Sequence, residues 1–268
     1  MKTWIKNNLP EPALVFLRDT LDSAKRIKEL PGAYFHPWRQ ETRKQLAHYK
    51  DKHKGQRCFI MGNGPSLKNT DLSKLKNEFT FGMNRIFLGF ADMGFPTTYY
   101  VSVNDLVIEQ SAADIQNLKI PRFVSWRVGR QWLQPDQDLH FLYTTYTGPI
   151  FSKNVCNRVW ESATVTYVAL QLAYYMGFQE AILIGVDHNF ETKGKPNTTI
   201  VSQGDDPNHF HPGYFGKGFR WQLPDLEMNE VGYRMARKVY AADGRRVLDA
   251  TVGGKLTIFD KVDYNSLF

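Results

Sequence analysis

The sequence predicts an α/β protein built on a doubly wound, mainly parallel sheet with helices on both faces. Short, nearly all-apolar runs are the first observation, since such runs are typical of strands that are buried on both faces. They cover residues 57–61, 79–83, 98–103, 122–125, 181–186 and 246–249. Helical patterns between several of them, notably 162–176 and 225–242, are the second observation. Strands that alternate with helices indicate parallel pairing with right-handed connections.

A basic helical extension, residues 1–56, is predicted to precede the α/β domain at 57–268. Apolar residues recur at three- and four-residue spacing over 11–30, which predicts an amphipathic helix ended by Pro31-Gly32. A second helix is predicted over 37–54, with Trp38 and Leu46 as packing residues. Such helices pack on the main domain, pair with a second copy of the chain, or lie on a membrane, and packing is the commonest of these.

The charge of the chain is concentrated at its start. The net charge is +7, and residues 1–57 hold thirteen Lys or Arg against six Asp or Glu, so the rest is neutral. A basic arm favours contact with an anionic membrane surface or a phosphorylated lipid; a solvated helical face is the alternative. No nucleic-acid-binding motif accompanies the charge, so a nucleic-acid partner is not predicted.

Cysteine usage and hydropathy predict the compartment. Cys58 and Cys156 are too few for a disulfide framework and lack metal-site spacing. No apolar stretch approaches the roughly 20 residues needed to cross a bilayer, and the basic start is not followed by a signal-peptide core. We therefore expect a cytoplasmic protein, with peripheral membrane association through residues 1–57 as the open question.

The first predicted strand runs directly into Gly62-Asn63-Gly64-Pro65-Ser66. In an open parallel sheet, ligands bind beyond the carboxyl ends of the strands. Glycines there let the backbone approach a phosphate, and N–H groups at the start of the next helix can bind it. The loop matches neither the dinucleotide fingerprint nor the Walker loop. It predicts a phosphate site, with an ordinary tight turn as the alternative.

Other predicted strands also end in polar residues. Asn84 and Asn104 each follow a strand, and Asp187-His188 closes the strand that begins at Ala181. An amide both donates and accepts hydrogen bonds, which suits ribose hydroxyls, base edges and phosphate oxygens. Asp187 is interpreted as a ribose ligand, a partner for a histidine or a turn cap, and His188 as catalytic or as polar lining.

The polar stretch at 191–218, which we call the lid segment, lacks periodicity and is typical of a lid or binding loop. Its His209 and His211 are candidate general bases, because a histidine near neutral pH can deprotonate an alcohol. A zinc site would need a third ligand at suitable spacing, and none is evident, so no metal is predicted. Tyr214, Lys217 and Arg220 are predicted to close over a sugar or neutralise a leaving phosphate.

These residues carry a resemblance to known families. The run 62–67, Asn84 at a strand end, and the segment 174–187 ending in Gly-Val-Asp resemble the bacterial sialyltransferases that modify lipooligosaccharide. They are equally similar to the broader family that includes the core domain of Maf flagellin glycosyltransferases and the archaeal hydroxymethylpterin pyrophosphokinase. Residues 249–254 are similar to a further stretch of that family, so the resemblance covers roughly residues 57–259 of a Rossmann-like domain.

The resemblance to the sialyltransferases implies a CMP-sugar donor, a glycan or glycolipid acceptor, and a metal-independent inverting transfer with a histidine base. It implies that Asn63, Asn84 and, less directly, Asn104 contact the nucleotide. The segment 162–166, with Ser162 and Thr164, falls at a Ser/Thr-rich turn that contacts the donor in that family. The base of the family lies a few residues beyond a stretch that matches 206–210, so His209 and His211 share that role. The donor-contacting tyrosine after the family's Ile-Asp has no match, since His188 follows Asp187 here.

Two other functions fit the same residues. One is transfer of diphosphate from ATP to a pterin-like alcohol, which would require magnesium held by Asp187, Asp205 and Asp206. The other is a non-catalytic nucleotide-binding module in which the basic arm is the main interaction surface. The donor sugar, the acceptor and the oligomeric state, including self-association through the helical extension, are not determined by the sequence.

Overall fold

The structure is a computed structural model, and it describes residues 10, 13, 20, 21, 23, 24 and 26–268 apart from 192, 193 and 205. Half of the amphipathic helix predicted over 11–30, including Leu14 and Leu17, therefore lies outside the described residues. Within the described part of the chain, no helix has the length and apolar character needed to cross a bilayer.

Nine parallel strands form the central sheet, in the order β11-β10-β7-β1-β2-β3-β4-β5-β6. The strands are β1 (Arg57–Met61), β2 (Phe79–Met83), β3 (Tyr99–Ser102), β4 (Arg122–Ser125), β5 (Leu139–Thr145), β6 (Arg158–Trp160), β7 (Glu180–Ile184), β10 (Arg246–Asp249) and β11 (Asp260–Lys261). The chain moves outward from β1 through β6, then returns to place β7, β10 and β11 on the other side of β1. This reversal confirms the predicted doubly wound sheet, and the crevice between β1 and β7 is where such folds bind ligands.

Helices cover both faces of the sheet because the strands are apolar on both sides. The helices are α1 (Leu30–Phe35), α2 (Pro37–Ala47), α3 (Phe90–Met93), α4 (Asp105–Gln110), α5 (Ala112–Asn117), α6 (Trp126–Trp132), α7 (Val165–Tyr175) and α8 (Leu226–Ala242). Cys58 and Ile60 of β1 pack in the core beneath α7 and α8, whereas Phe59 and Met61 belong to the opposite core with α4, α5 and α6. This alternation is the expected consequence of the two-residue period of a strand.

The second predicted helix ends at Ala47 rather than continuing to residue 54. The following turns run along the end of α7 instead: the Asp51 N–H donates to the Tyr175 carbonyl at 3.1 Å, and the His53 N–H donates to the Met176 carbonyl at 2.8 Å. As predicted, Leu46 is fully buried, and Trp38 packs against Phe141 with ring centroids 5.9 Å apart.

The lid segment has more structure than its composition indicates. Strand β8 (Thr199–Val201) pairs in antiparallel fashion with β9 (Arg220–Gln222), just beyond the segment. Tyr214, Phe215 and Trp221 form a small apolar cluster there with Val107 of α4. The lid is therefore anchored above the carboxyl ends of the strands by its own core.

Candidate functional site

A cavity of about 150 Å³ opens at the carboxyl edge of the sheet, beside the crevice between β1 and β7. We call it the main cavity. Its walls include the loop after β1, the start of α7, the turn after β7, the start of α8 and three residues of the lid segment. Nine predicted site residues line it: Gly62, Asn63, Gly64, Asn84, Thr164, Asp187, His188, His209 and Tyr214. The topology thus brings together residues that are up to 152 positions apart in the sequence.

The glycines of the loop are explained by close packing against the turn that follows β7. A Cβ on Gly62 would overlap the Gly185 carbonyl oxygen, and one on Gly64 would overlap the Asp187 carboxylate. The Gly62 N–H donates to the Ile184 carbonyl at 2.7 Å, and the Gly64 N–H donates to the Gly185 carbonyl at 2.9 Å. These two N–H groups, predicted to hold a phosphate, are therefore committed within the protein.

Asp187 ties the same loop from the opposite side. Its carboxylate accepts hydrogen bonds from the Ser66 N–H at 3.1 Å and from the Ser66 hydroxyl at 2.7 Å. Burial raises the pKa of Asp187, and the two bonds from Ser66 act against that rise. Pro65 and Ser66 begin a 3₁₀ helix and do not line the main cavity. The carboxylate thus caps the loop after β1 rather than the turn that follows Asp187, and Asp187 also lines the main cavity.

The three asparagines occupy different positions around the edge. Asn63 donates from Nδ2 to the Met83 carbonyl at 3.0 Å, and its Oδ1 is buried with no hydrogen-bond partner among the described residues. Asn84 has a φ of 50° and accepts a bond from the Ser102 hydroxyl at 3.1 Å. Asn104 caps α4 and lines a neighbouring cavity instead.

A strained turn precedes α7. Ser162 and Ala163 both have positive φ, 48° and 55°, which is unfavourable for residues with a Cβ. The Ser162 hydroxyl is buried and donates to the Met228 carbonyl at 2.6 Å. Ser162 was predicted to contact the donor, but it does not line the main cavity. The Asn229 amide faces the turn, and assigning its nitrogen to the side where only carbonyl acceptors lie gives hydrogen bonds to Ser162 at 3.2 Å and Ala163 at 3.1 Å.

The consequence of this turn is that the start of α7 faces the main cavity. Thr164 caps the helix by accepting a bond from the Thr166 N–H at 3.3 Å, and Thr164, Val165 and Thr166 all line the cavity. The first N–H groups of a helix lack intrahelical acceptors and carry partial positive charge. The N–H groups of Thr166 and Tyr167 are already bonded to Thr164, so the Val165 N–H is the group that this helix end could offer to a phosphate.

His209 forms a pair with a buried carboxylate. Its Nδ1 lies 2.8 and 2.9 Å from the two carboxylate oxygens of Asp206, whose side chain is 3% exposed. The ring stacks on Tyr214 with centroids 3.9 Å apart and planes 5° apart. Because Nδ1 is engaged by the carboxylate, Nε2 is the nitrogen that can accept a proton. The spacing of three residues between Asp206 and His209 is a sequence feature that could have indicated this pair, but it was not used in the prediction.

His211 points elsewhere. It lies in a separate groove beside Leu67 and Phe210, and its Nδ1 accepts a bond from the Gly213 N–H at 3.1 Å. It does not line the main cavity, so the structure separates the two histidines that the sequence left equivalent.

Other predicted lid residues also fall outside the main cavity. Lys217 is exposed, and Arg220 pairs with Glu109 at 2.8 Å on the surface. Tyr214 does line the cavity, and burial raises the pKa of its hydroxyl. We therefore retain only Tyr214 from the predicted group of sugar- or phosphate-contacting lid residues.

His188 is held at the cavity wall by α8. It has a φ of 54°, and its Nε2 lies 3.1 Å from the Glu230 carboxylate, a contact that no sequence pattern predicted. The hydrogen bond from His188 lowers the pKa of Glu230. Among the described residues, no group of three His, Cys, Asp or Glu side chains is arranged to hold a metal ion.

Comparisons with known proteins identify the family. The model of the family described as 6-hydroxymethylpterin diphosphokinase MptE-like matches residues 34–193, more than half of the chain. The chain belongs to the MptE-like family. No match was found among the curated proteins.

A solved structure has a fold similar to that of this MptE-like chain. It resembles the MAf glycosyltransferase from Magnetospirillum magneticum AMB-1 with a TM-score of 0.51 and 15% sequence identity. The similarity covers 86% of this chain and 39% of that protein, so the chain spans about two fifths of its length. The predicted relationship to the MptE-like and Maf family and the predicted Rossmann-like α/β fold are both confirmed.

Proposed function

We propose that the protein is a glycosyltransferase that transfers a sugar from a nucleotide donor, with a CMP-sugar favoured, to a hydroxyl of a glycan or glycolipid. The observation that carries the proposal is the His209–Asp206 pair, whose histidine lines the main cavity together with the start of α7. A proton acceptor and a helix N-terminus that share one cavity are what attack by an alcohol on a phosphate-linked sugar requires.

In this mechanism the acceptor hydroxyl gives its proton to Nε2 of His209. Its oxygen then bonds to the anomeric carbon of the donor sugar while the bond from that carbon to the phosphate oxygen breaks. Asp206 stabilises the imidazolium that forms, since its carboxylate accepts the bond from Nδ1. Without the Asp206 carboxylate, the protonated ring of His209 would lose this stabilisation.

The departing nucleotide phosphate is assigned to the start of α7. The N–H of Val165 lies in the first helical turn, and the helix dipole adds partial positive charge at the same end. Stabilisation of this kind does not require a metal ion. Asn63 and Asn84, on the opposite wall, offer amide groups to the nucleoside.

A diphosphokinase is the second candidate, because the family description names that activity. It would need magnesium and therefore carboxylates that face the substrate. Asp187 is bonded to Ser66 and Asp206 to His209, while Asp205 lies outside the described residues. These contacts favour sugar transfer over this candidate.

Thermal unfolding in the presence of CMP, CDP, UDP, GDP or ATP, with magnesium or with EDTA, separates these functions. A ligand at a hundredfold excess over its dissociation constant stabilises the folded state by about 2.7 kcal/mol. Stabilisation by CMP that is indifferent to EDTA supports the proposal, whereas stabilisation by ATP only with magnesium supports the diphosphokinase. Absence of any response would indicate a non-catalytic role.

A histidine variant tests the chemistry separately. His209→Ala should still bind the nucleotide but lose turnover, whereas His211→Ala, the matched control outside the cavity, should keep both. Loss of turnover in the His211 variant alone would overturn the assignment of the base. Contact of residues 1–57 with an anionic membrane and self-association of the chain stay predictions; vesicle flotation and sedimentation would measure them.

A further inference from the structure

A second cavity, of about 190 Å³, adjoins the main cavity. It lies beneath the β8–β9 hairpin, at the carboxyl ends of the strands on the β3 side of the crevice. Thr164, His209 and Tyr214 line both cavities. The proposed base therefore stands where the two cavities meet.

Glu161 is the unusual group in this second cavity. It lies directly after β6, is 2% exposed, and lines the cavity. Its Oε1 is buried and has no hydrogen-bond partner among the described residues, and the nearest cation, Arg127, is 3.8 Å away. Arg127 instead gives two hydrogen bonds of 2.9 Å to Asp105. A buried carboxylate oxygen with an unused lone pair is costly unless a donor comes to it.

The other walls indicate what that donor belongs to. The aromatic rings of Tyr146, Phe190 and Trp221 line the cavity beside the amides of Asn104 and Gln222. Of the described residues that line it, none is a lysine or an arginine. Aromatic faces carry negative charge density that suits the C–H face of a sugar ring, and amides and carboxylates suit hydroxyls. An anionic ligand would gain no ion pair here, because Arg127, the cation nearest to Glu161, is already bonded to Asp105.

We infer that the second cavity is the acceptor subsite, that it takes an uncharged sugar ring, and that Glu161 is its specificity-determining residue. Oε1 of Glu161 accepts a hydrogen bond from one acceptor hydroxyl while Trp221 covers the ring. Another hydroxyl of the same ring is then placed at Nε2 of His209. This inference rests on the proposed function and adds the chemical class of the acceptor.

Saturation-transfer NMR on the full chain with saturating CMP tests the inference. The probes are the methyl glycosides of galactose, glucose and mannose, with the methyl glycoside of glucuronic acid as the anionic counterpart. We expect at least one neutral glycoside to bind, and the glucuronide to bind at least tenfold more weakly. Glu161→Gln should weaken the neutral glycoside about tenfold without changing the CMP-induced thermal shift.

Two variants complete the test. Trp221→Leu, which keeps the carboxylate, should also weaken the glycoside and spare CMP, so the inference does not depend on one substitution folding. Glu180→Gln, at the amino end of β7 on the opposite edge of the sheet, should leave both ligands unaffected.

The inference is overturned if CMP binds and no neutral glycoside does. It is also overturned if the glucuronide binds as tightly as the neutral probes, or if Glu161→Gln binds them as the unsubstituted protein does. Failure of every nucleotide to bind is a different result, because it removes the proposed function itself.

Discussion

Replacing Glu161 by Gln should change how the stability of the protein depends on pH. Burial raises the pKa of Glu161 from 4.5 to about 7, while attraction from Arg127 and the nearby hydroxyls of Thr144 and Tyr146 act in the opposite direction. Asp105, on the adjacent helix, adds a smaller upward effect. The folded protein therefore keeps this carboxyl protonated at pH values where the unfolded chain has ionised it.

The sign of the effect follows from proton binding. Between pH 4.5 and about 7 the folded state holds more protons at Glu161 than the unfolded state, so stability falls as the pH rises through this interval. One pKa unit corresponds to about 1.4 kcal/mol, so the contribution lost is on the order of 3 kcal/mol. It is fully present below pH 4.5, and little further change is expected above pH 7.

Urea unfolding of both proteins at intervals from pH 4.5 to pH 8.5 measures this contribution. The difference in free energy of unfolding, unsubstituted protein minus Glu161→Gln, should decrease by about 3 kcal/mol across the interval. Taking the difference removes the contribution of every other titrating group. A second variant, Arg127→Gln, should move the upper end of the interval to higher pH, because it removes the attraction that favours the ionised form. A difference that is flat or rises with pH would refute the reasoning.

Three further substitutions test the construction of the site. Gly64→Ala should destabilise the fold by about 1–3 kcal/mol in urea unfolding, because the added Cβ overlaps the Asp187 carboxylate; unchanged stability would mean that the loop yields freely. Asp206→Asn should lower turnover about a hundredfold or more at unchanged nucleotide affinity, since His209 loses its charged partner, and equal kinetics would remove the pair from the mechanism. Asn229→Ala should cost about 1–3 kcal/mol and weaken CMP binding, because two carbonyls of the turn before α7 lose their donor; intact CMP affinity would show that the turn does not shape the site.

The strands that are apolar on both faces could be predicted from the sequence, and they define most of the fold. All six predicted strands form, within one or two residues of the predicted bounds. Short apolar runs are typical of parallel strands that are buried on both faces. Strands β5 and β6 were missed, as were the short strands β8, β9 and β11. His140 interrupts the pattern of β5, yet it is buried, and Gln45 and Tyr49 of a distant segment satisfy its ring nitrogens. A polar residue in a strand interior becomes acceptable through partners that local sequence does not show.

The candidate site was predictable where residues follow strands and unpredictable where they depend on partners. Parallel strands end at one edge, so the loop after β1, Asn84 and the turn after β7 had to converge. The choice between His209 and His211 depends on stacking with Tyr214, which spacing does not encode. Glu161 lies just before the helix predicted over 162–176, and no sequence pattern singles it out. Only its burial beside a cavity marks it as unusual.

The glycine loop illustrates how a correct motif can carry the wrong chemistry. Glycines after a first strand suggest a phosphate held by backbone N–H groups, but here the N–H groups of Gly62 and Gly64 bond to the end of β7. The loop and that strand end are thereby locked together, which fixes Asn63 on one wall of the main cavity. The proposed phosphate site is therefore the start of α7, which follows a strained turn that Asn229 contacts. The nucleotide is accordingly expected to span the cavity from the asparagines to α7, which places its anomeric carbon toward His209 and the second cavity.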